Sequence, residues 1–374
     1  MKLPWPLYLA WKQLFPTQKK VSFFSLLAVV GVALGVNVMI VVIAFMQGFQ
    51  DKFRNDIINA QGHGRVVPLQ SSFDWREMHQ KIEDYSFIDQ AMPYLQGQIL
   101  LQKGKYNSIP FAMGIEPTAE TPVFDIDSFL EGGTIRMNSH DSEDITPVPT
   151  IESLEDEVVF ISTQVANRLG VRPATAIRFH DSNQSTSSIA SQITISRLDP
   201  FVESGEWEVL FTSDQNFTVK ELSSGVEYHA TLANGLIDRG FGIPVFEALI
   251  NSEPFKEGDL FQFHVFKASI IEVYSPSMIE TAKADEMVPP REVRVGGIFE
   301  VPWQGFHTEA LISTMRLMQD LRVEEDRIDG FYIKAVDSVA KRENRLGESC
   351  SELQNSLGEG WRVIPWFVEN AWFF

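Results

Sequence analysis

Cysteine is almost absent, since Cys350 is the only one in 374 residues. No internal disulfide can form, so any folded part must be held by its buried apolar core. Acid is absent from the first fifty residues, which carry Lys2, Lys12, Lys19 and Lys20 but no Asp or Glu. Charge of either sign is absent from residues 21–50, VSFFSLLAVVGVALGVNVMIVVIAFMQGFQ. The phosphate-cradling pattern G-x-x-x-x-G-K-[ST] occurs nowhere, which excludes ATP hydrolysis by that device. H-E-x-x-H is missing too. The seven histidines, His63, His79, His140, His180, His229, His264 and His307, show no close pairing, so no metal site and no cofactor are expected.

What is present first is the uncharged run itself. A bilayer core needs about 20 apolar residues in a helix. A cleaved signal peptide would offer an apolar region of only about 7–15 residues before a small-x-small site. Residues 21–50 therefore predict a transmembrane helix. The lysine excess before it predicts a cytoplasmic N-terminus, with the rest of the chain outside the cytoplasm, in the periplasm of a bacterium. Residues 1–20 hold Trp5, Leu7, Tyr8, Trp11, Leu14 and Phe15 around Lys12, the pattern of a short interfacial helix ended by Pro16.

After residue 50 the balance reverses. That part holds all 50 acidic residues against 27 basic ones, a formal charge of −23. Such a surface keeps a domain soluble and argues against binding nucleic acid or lying on anionic lipid. Strand patterns at RVVPL, MPYLQGQILLQ and YNSIPFAMGI surround a helix pattern at WREMHQKIEDY. Residues 116–157 read as a loop with short elements. EVVFIS, TQVANRLG and AIRFH then read as strand, helix and strand, and alternation in QITISRL, EWEVLFT and NFTVKEL predicts a β-rich region. The last third returns to helices at STMRLMQDL and SVAKRENRLGESCSELQNSL between strands GFYIKAV and WRVIPW.

The expected fold class is α+β: a transmembrane helix, then a periplasmic domain with a split ferredoxin-like β-α-β lobe and an inserted β-rich lobe. The expected divisions are 1–20, a cytoplasmic amphipathic segment; 21–50, the membrane helix; 51–156, the first part of the α/β lobe and a linker; 157–325, the inserted lobe; and 326–374, the second part of the α/β lobe. Gly31 and Gly35 form G-x-x-x-G, which lets helices approach closely. Asn37 at mid-membrane is costly unless it faces another helix or a cavity. These three residues are the expected packing positions of the membrane helix. Ser338 and Lys341 form S-x-x-K without S-D-N or K-T-G, so the match reads as chance. Cys350 reads as a small core residue and not a nucleophile.

These landmarks, in this order, resemble the FtsX-like, MacB-type permeases of ABC transporters, and within them the lipoprotein-releasing branch of LolC and LolE. The similarity lies in Gly31 to Val36 with Met46 to Phe49, in Gly114-Ile115-Glu116-Pro117, in Phe160 to Gly170, in Glu257-Gly258-Asp259 and in Arg294 to Phe299. The resemblance implies a non-catalytic membrane subunit of the bacterial inner membrane. Its implied partners are a cytoplasmic ABC ATPase and a second permease subunit or a second copy, with a periplasmic lipoprotein carrier as a further possibility. It also implies a carrier-docking loop at Ser277–Pro290, where Met278, Ile279, Pro289, Pro290 and Arg291 are the candidate contacts. The chain departs from the family's pattern in extra β-rich material between about 181 and 256. It also departs in stopping at WFVENAWFF, where a second membrane helix is expected to begin. The alternative function is a single-pass anchor bearing a periplasmic binding or sensing module.

Overall fold

The computed structural model describes residues 5–14, 23–69, 74–117, 123, 126–136, 142–179, 193–232, 235–236, 243–248, 254–275, 289–300, 308–322 and 326–371. Residues Met1–Asp56 form one unit and Ile57–Phe374 another. In the first, helix α1 (Trp5–Leu14) leaves Trp5, Tyr8 and Leu9 exposed. Helix α2 (Phe23–Gln61) contributes most of its length to the first unit and its last turn, from Ile57, to the second. Between Leu26 and Phe49 its apolar side chains are exposed, Val32 at 68% and Phe45 at 70%. A rod with an apolar surface on every side belongs in lipid, so α2 is a membrane-spanning helix.

The second unit begins with strand β1 (Gly64–Pro68), helix α3 (Trp75–Glu83) and strands β2 (Ile88–Gln98), β3 (Leu100–Lys103), β4 (Tyr106–Ser108), β5 (Phe111–Ile115) and β6 (Leu130–Glu131). There follow β7 (Gly133–Arg136), β8 (Ser142–Thr146), β9 (Val158–Ser162), α4 (Thr163–Leu169), β10 (Thr175–Phe179), β11 (Ile193–Arg197) and β12 (Gly205–Phe211). Then come β13 (Asn216–Glu221), β14 (Glu227–Thr231), β15 (Gly235–Leu236), β16 (Val245–Ala248), β17 (Leu260–Phe266), β18 (Ile270–Tyr274) and β19 (Arg291–Phe299). The unit closes with β20 (Ala310–Thr314), α5 (Met315–Arg322), β21 (Gly330–Ala335), α6 (Asp337–Ala340), α7 (Glu343–Leu357), β22 (Trp361–Pro365) and α8 (Trp366–Glu369).

The split ferredoxin-like arrangement is present. One end of the main sheet runs β22-β1-β21-β2 with every neighbouring pair antiparallel, so each β-α-β unit holds a strand of the other in its gap. Beyond β2 the same sheet continues through β5, β20, β9, β19, β18, β3 and β4. A second sheet, β15-β14-β13-β12-β17-β10-β8-β7, forms the β-rich lobe, and β11 pairs with β16 beside it.

This pairing corrects the expected division at 157 and 325. Strands β9, β18, β19 and β20 lie in the main sheet, and the β-rich lobe takes its strands from 133–146 and 175–266. The reason is in the side chains. VVFIS and ALIST are buried at every position, so both faces must be covered, as in the middle of a layered sheet. By contrast LFQFHVF alternates buried and partly exposed residues, the pattern of a sheet with one wet face. The lobe's core is aromatic, with Phe211 and Phe255 stacked at 4.0 Å beneath Trp207, Phe217 and Phe263.

Candidate functional site

Helix α2 stops at Gly62, whose N–H returns to the Ile58 carbonyl at 2.8 Å. Its φ of +69° suits glycine, and a Cβ there would lie 2.6 Å from Val123 Cγ1 and 2.8 Å from the Ile333 carbonyl oxygen. His63 then uses three polar groups at once. Its N–H donates to Ile333 O at 2.8 Å, its carbonyl accepts from Trp366 N at 3.1 Å, and its Nδ1 accepts from Ala335 N at 3.2 Å. The next residues enter β1 and place Gly64 opposite Pro365 on β22 and Ile333 on β21. The end of the long helix and the start of α8 are thus fastened to the same strand.

A side-chain cluster closes over this junction. Arg65 on β1 forms an ion pair with Glu369 of α8, with both side chains about a quarter exposed. Tyr332 lies directly across from Arg65 on β21, and the Tyr94 ring on β2 packs against it at a tilt of 37° with ring centres 4.2 Å apart. The Arg65 charge acts on both phenols and pulls against the effect of their burial. Burial pushes the Tyr94 phenol up to about 12 and raises that of Tyr332 further, so both stay neutral at ordinary pH. A half-buried guanidinium is tolerated only when its charge is paired, and the Glu369 carboxylate does that, although Arg65 Nε finds no hydrogen-bond partner among the described residues. Gly330 leaves the space required, because a Cβ there would lie 2.5 Å from Val66 O and 3.1 Å from the Tyr94 hydroxyl.

The positions expected from the sequence are distributed differently. Met278 and Ile279 lie outside the described residues. Pro289 and Pro290 lead into β19, and Arg291 begins it opposite Val273 of β18, so the expected loop spans an antiparallel pair. The Arg291 guanidinium donates to Asp320 of α5 at 2.9 Å, so its charge is already engaged within the chain. Gly31 and Gly35 have open space around them. Asn37 is exposed on α2 beside Ala33, Val36 and Ile40. At about 100° per residue, Asn37 stands roughly 140° round the helix from the glycine ridge. The structure therefore does not bring the three together on one face.

No constellation for covalent chemistry appears among the described residues. His79 Nε2 lies 2.7 Å from Ala91 O and 3.4 Å from Glu83, and no three His, Cys, Asp or Glu side chains gather as a metal site would need. Lys341 of the S-x-x-K match pairs with Asp337 at 2.9 Å on an exposed turn. Cys350 is buried, and burial pushes its thiol up to about 12, away from the thiolate that nucleophilic chemistry requires.

Sequence reasoning missed Arg65, Tyr94, Tyr332 and Glu369. A signal existed in part. Arg65 is a lone charge among apolar strand residues, and Tyr332 stands at an inward position of GFYIKA. What no pattern supplied was the register that puts Arg65 across from Tyr332.

Residues 25–201 match the family model described as the MacB-like periplasmic core domain. The chain is 28% identical over 159 residues to the lipoprotein-releasing system transmembrane protein LolC of Neisseria meningitidis serogroup B, covering 42% of this chain and 38% of that protein. It is 31% identical over 116 residues to LolC of Xylella fastidiosa strain Temecula1, covering 31% and 28%. To LolE of Haemophilus influenzae it is 23% identical over 133 residues, covering 34% and 32%. These matches span less than two fifths of each relative's length. Among solved structures, the periplasmic region of MacB from Actinobacillus actinomycetemcomitans aligns with a TM-score of 0.36 at 10% identity, covering 84% of this chain and 94% of that one. Over residues 25–201 the chain is thus similar to the MacB-like periplasmic core domain, and over shorter stretches to the lipoprotein-releasing transmembrane proteins LolC and LolE.

Proposed function

We propose that this chain works as a permease subunit of an ABC transporter of the FtsX/MacB type, and that its cargo is a lipoprotein leaving the inner membrane. The chain does no covalent chemistry in this reading. A separate cytoplasmic ATPase hydrolyses ATP, a second permease subunit completes the membrane part, and this chain carries the resulting motion outward. The four lysines before α2 keep the N-terminus in the cytoplasm, which leaves residues after about 51 in the periplasm.

The observation that carries the reading is the junction at β1. A displacement of the α2 end reaches β21 and β22 through strand pairing and reaches α8 through His63–Trp366 and Arg65–Glu369. Such a fastening suits a part that transmits force and has no use in a passive anchor.

The test has three arms. Alkaline phosphatase joined after Gln70 should be active, and an expressed but inactive fusion defeats the orientation. Affinity purification from native membranes should bring down a nucleotide-binding ATPase, whose absence defeats the transporter reading in favour of a binding module. Spheroplasts carrying the complex should release a lipoprotein to the soluble fraction only with hydrolysable ATP. If ATPase copurifies and no lipoprotein is released, the permease reading stands and the cargo assignment falls.

A further inference from the structure

Among the described residues, β22 is an edge strand of the main sheet, paired with β1 on one side only. An open edge presents unpaired N–H and C=O groups and invites another strand. Here three of the outward groups, Trp361 N, Trp361 O and Val363 N, are bonded from within the chain. Trp361 N donates to Gly358 O at 3.4 Å, just past the C-terminus of α7. The Gln354 side chain on α7 takes the next two groups, its Nε2 donating to Trp361 O at 2.7 Å and its Oε1 accepting from Val363 N at 2.7 Å. Pro365 has no N–H to offer.

The geometry of Gln354 is specific. One carboxamide bonds to the carbonyl before Arg362 and to the N–H after it. A single residue of a neighbouring parallel strand makes that same pair of contacts. The side chain therefore stands in for one residue of the strand that the edge lacks.

We infer that Gln354 is a built-in guard of the β22 edge, and that without it the exposed edge pairs with β22 of a second copy of this chain. The second copy is the occupant because two identical edges meet antiparallel about a two-fold axis, which is self-complementary. A two-fold at Val363 sets Val363 against Val363 and Arg362 against Ile364, so like charges do not face each other. Glutamine suits the task. Its amide offers donors and an acceptor without charge, and the second N–H reaches Gly358 O at 3.3 Å, where a glutamate could accept from Val363 but could not donate to Trp361.

The experiment uses the full chain in detergent, with Gln354→Ala and the volume-conserving Gln354→Met compared with the parent. Hydrogen exchange at the Val363 amide, read at a dilution at which every variant is monomeric so that no second copy shields the edge, should be slow in the parent and at least tenfold faster in both variants. In a Cys350→Ala background, single cysteines introduced by Arg362→Cys and by Val363→Cys cover the two possible registers. Intermolecular disulfide should form in at least one register with Gln354→Met and not with Gln354 present. Unchanged exchange in Gln354→Met overturns the guard. Fast exchange without cross-linking in either register overturns the second-copy occupant, and equal cross-linking with Gln354 in place overturns both. Native thermal unfolding of Gln354→Met shows that the variant still folds.

Discussion

The N–H of Trp366 donates to the carbonyl of His63 at 3.1 Å, which joins the second residue beyond α2 to the residue that opens α8. Two positions at opposite ends of the second unit thereby behave as neighbours. Arg65 on β1, two residues beyond His63, adds a charged contact with Glu369, and the two tyrosines enclose it. A backbone bond alone would leave α8 free to swing about it. The ion pair fixes a second point and so sets its direction.

The charged contact should therefore show measurable coupling. Arg65→Gln and Glu369→Gln each weaken the second unit, and the double variant loses less than their sum by about 1 kcal/mol. Arg65→Gln is the costlier single change, because it also takes the guanidinium from beside two buried phenols. Chemical denaturation of the four proteins reads this directly. Additive losses would mean that the pair merely sits together without holding anything.

Alkaline pH should loosen the same site. The Tyr94 phenol is raised from 10.0 to about 12 by burial, and Tyr332 is raised in the same direction. Between those values the unfolded chain has lost protons that the folded chain keeps, so stability falls as pH rises. The stabilisation is complete below about pH 10 and disappears as pH passes the folded value. Tyr94→Phe removes part of that slope. Denaturation midpoints taken across this range, together with tyrosinate absorbance, check it. A parent protein equally stable on both sides of the range would count against the buried cluster.

Much of this fold could be read from residue patterns. The strands RVVPL and GFYIKAV and the helix WREMHQKIEDY lie where hydrophobic period and turn chemistry put them. The division between lobes could not be read in the same way. EVVFIS looks like any short apolar strand, and only its partners, β19 and β20, reveal that it is central to the main sheet. Arg65 presents the same difficulty. Its charge is visible in the sequence, but the groups around it come from β2, β21 and α8, which only register brings together. Local patterns name the elements, whereas long-range pairing assembles the site.

Two glycines of α2 and its end should respond in opposite ways. Gly62→Ala meets both a left-handed backbone and atoms within 3 Å, so it should cost about 2–3 kcal/mol. Gly31→Ala meets nothing within 4 Å and should leave the stability of the second unit within about 0.5 kcal/mol of the parent. If Gly31 and Gly35 seat a partner helix, Gly31→Leu abolishes copurification of membrane partners while the second unit unfolds at the parental midpoint. Retained copurification removes the glycine ridge from the interface.

The last prediction separates the loop from its base. Arg291 begins β19 and donates to Asp320 at 2.9 Å, with both side chains more than a third exposed. An exposed pair of this kind contributes at most about 1 kcal/mol, so Arg291→Ala should lower stability only slightly. Its guanidinium is engaged, so the same change should leave capture of periplasmic partners intact. The residues between β18 and β19 are the better candidates for docking, and Met278 and Ile279 among them supply apolar contacts. Replacing 276–288 with a Gly-Ser segment should abolish capture of a soluble periplasmic protein by the full chain in detergent. If Arg291→Ala alone abolishes capture, the arginine leaves Asp320 to meet the partner and the loop serves only to present it. If neither change matters, docking lies elsewhere, and the exposed strands of the β-rich lobe become the surface to search.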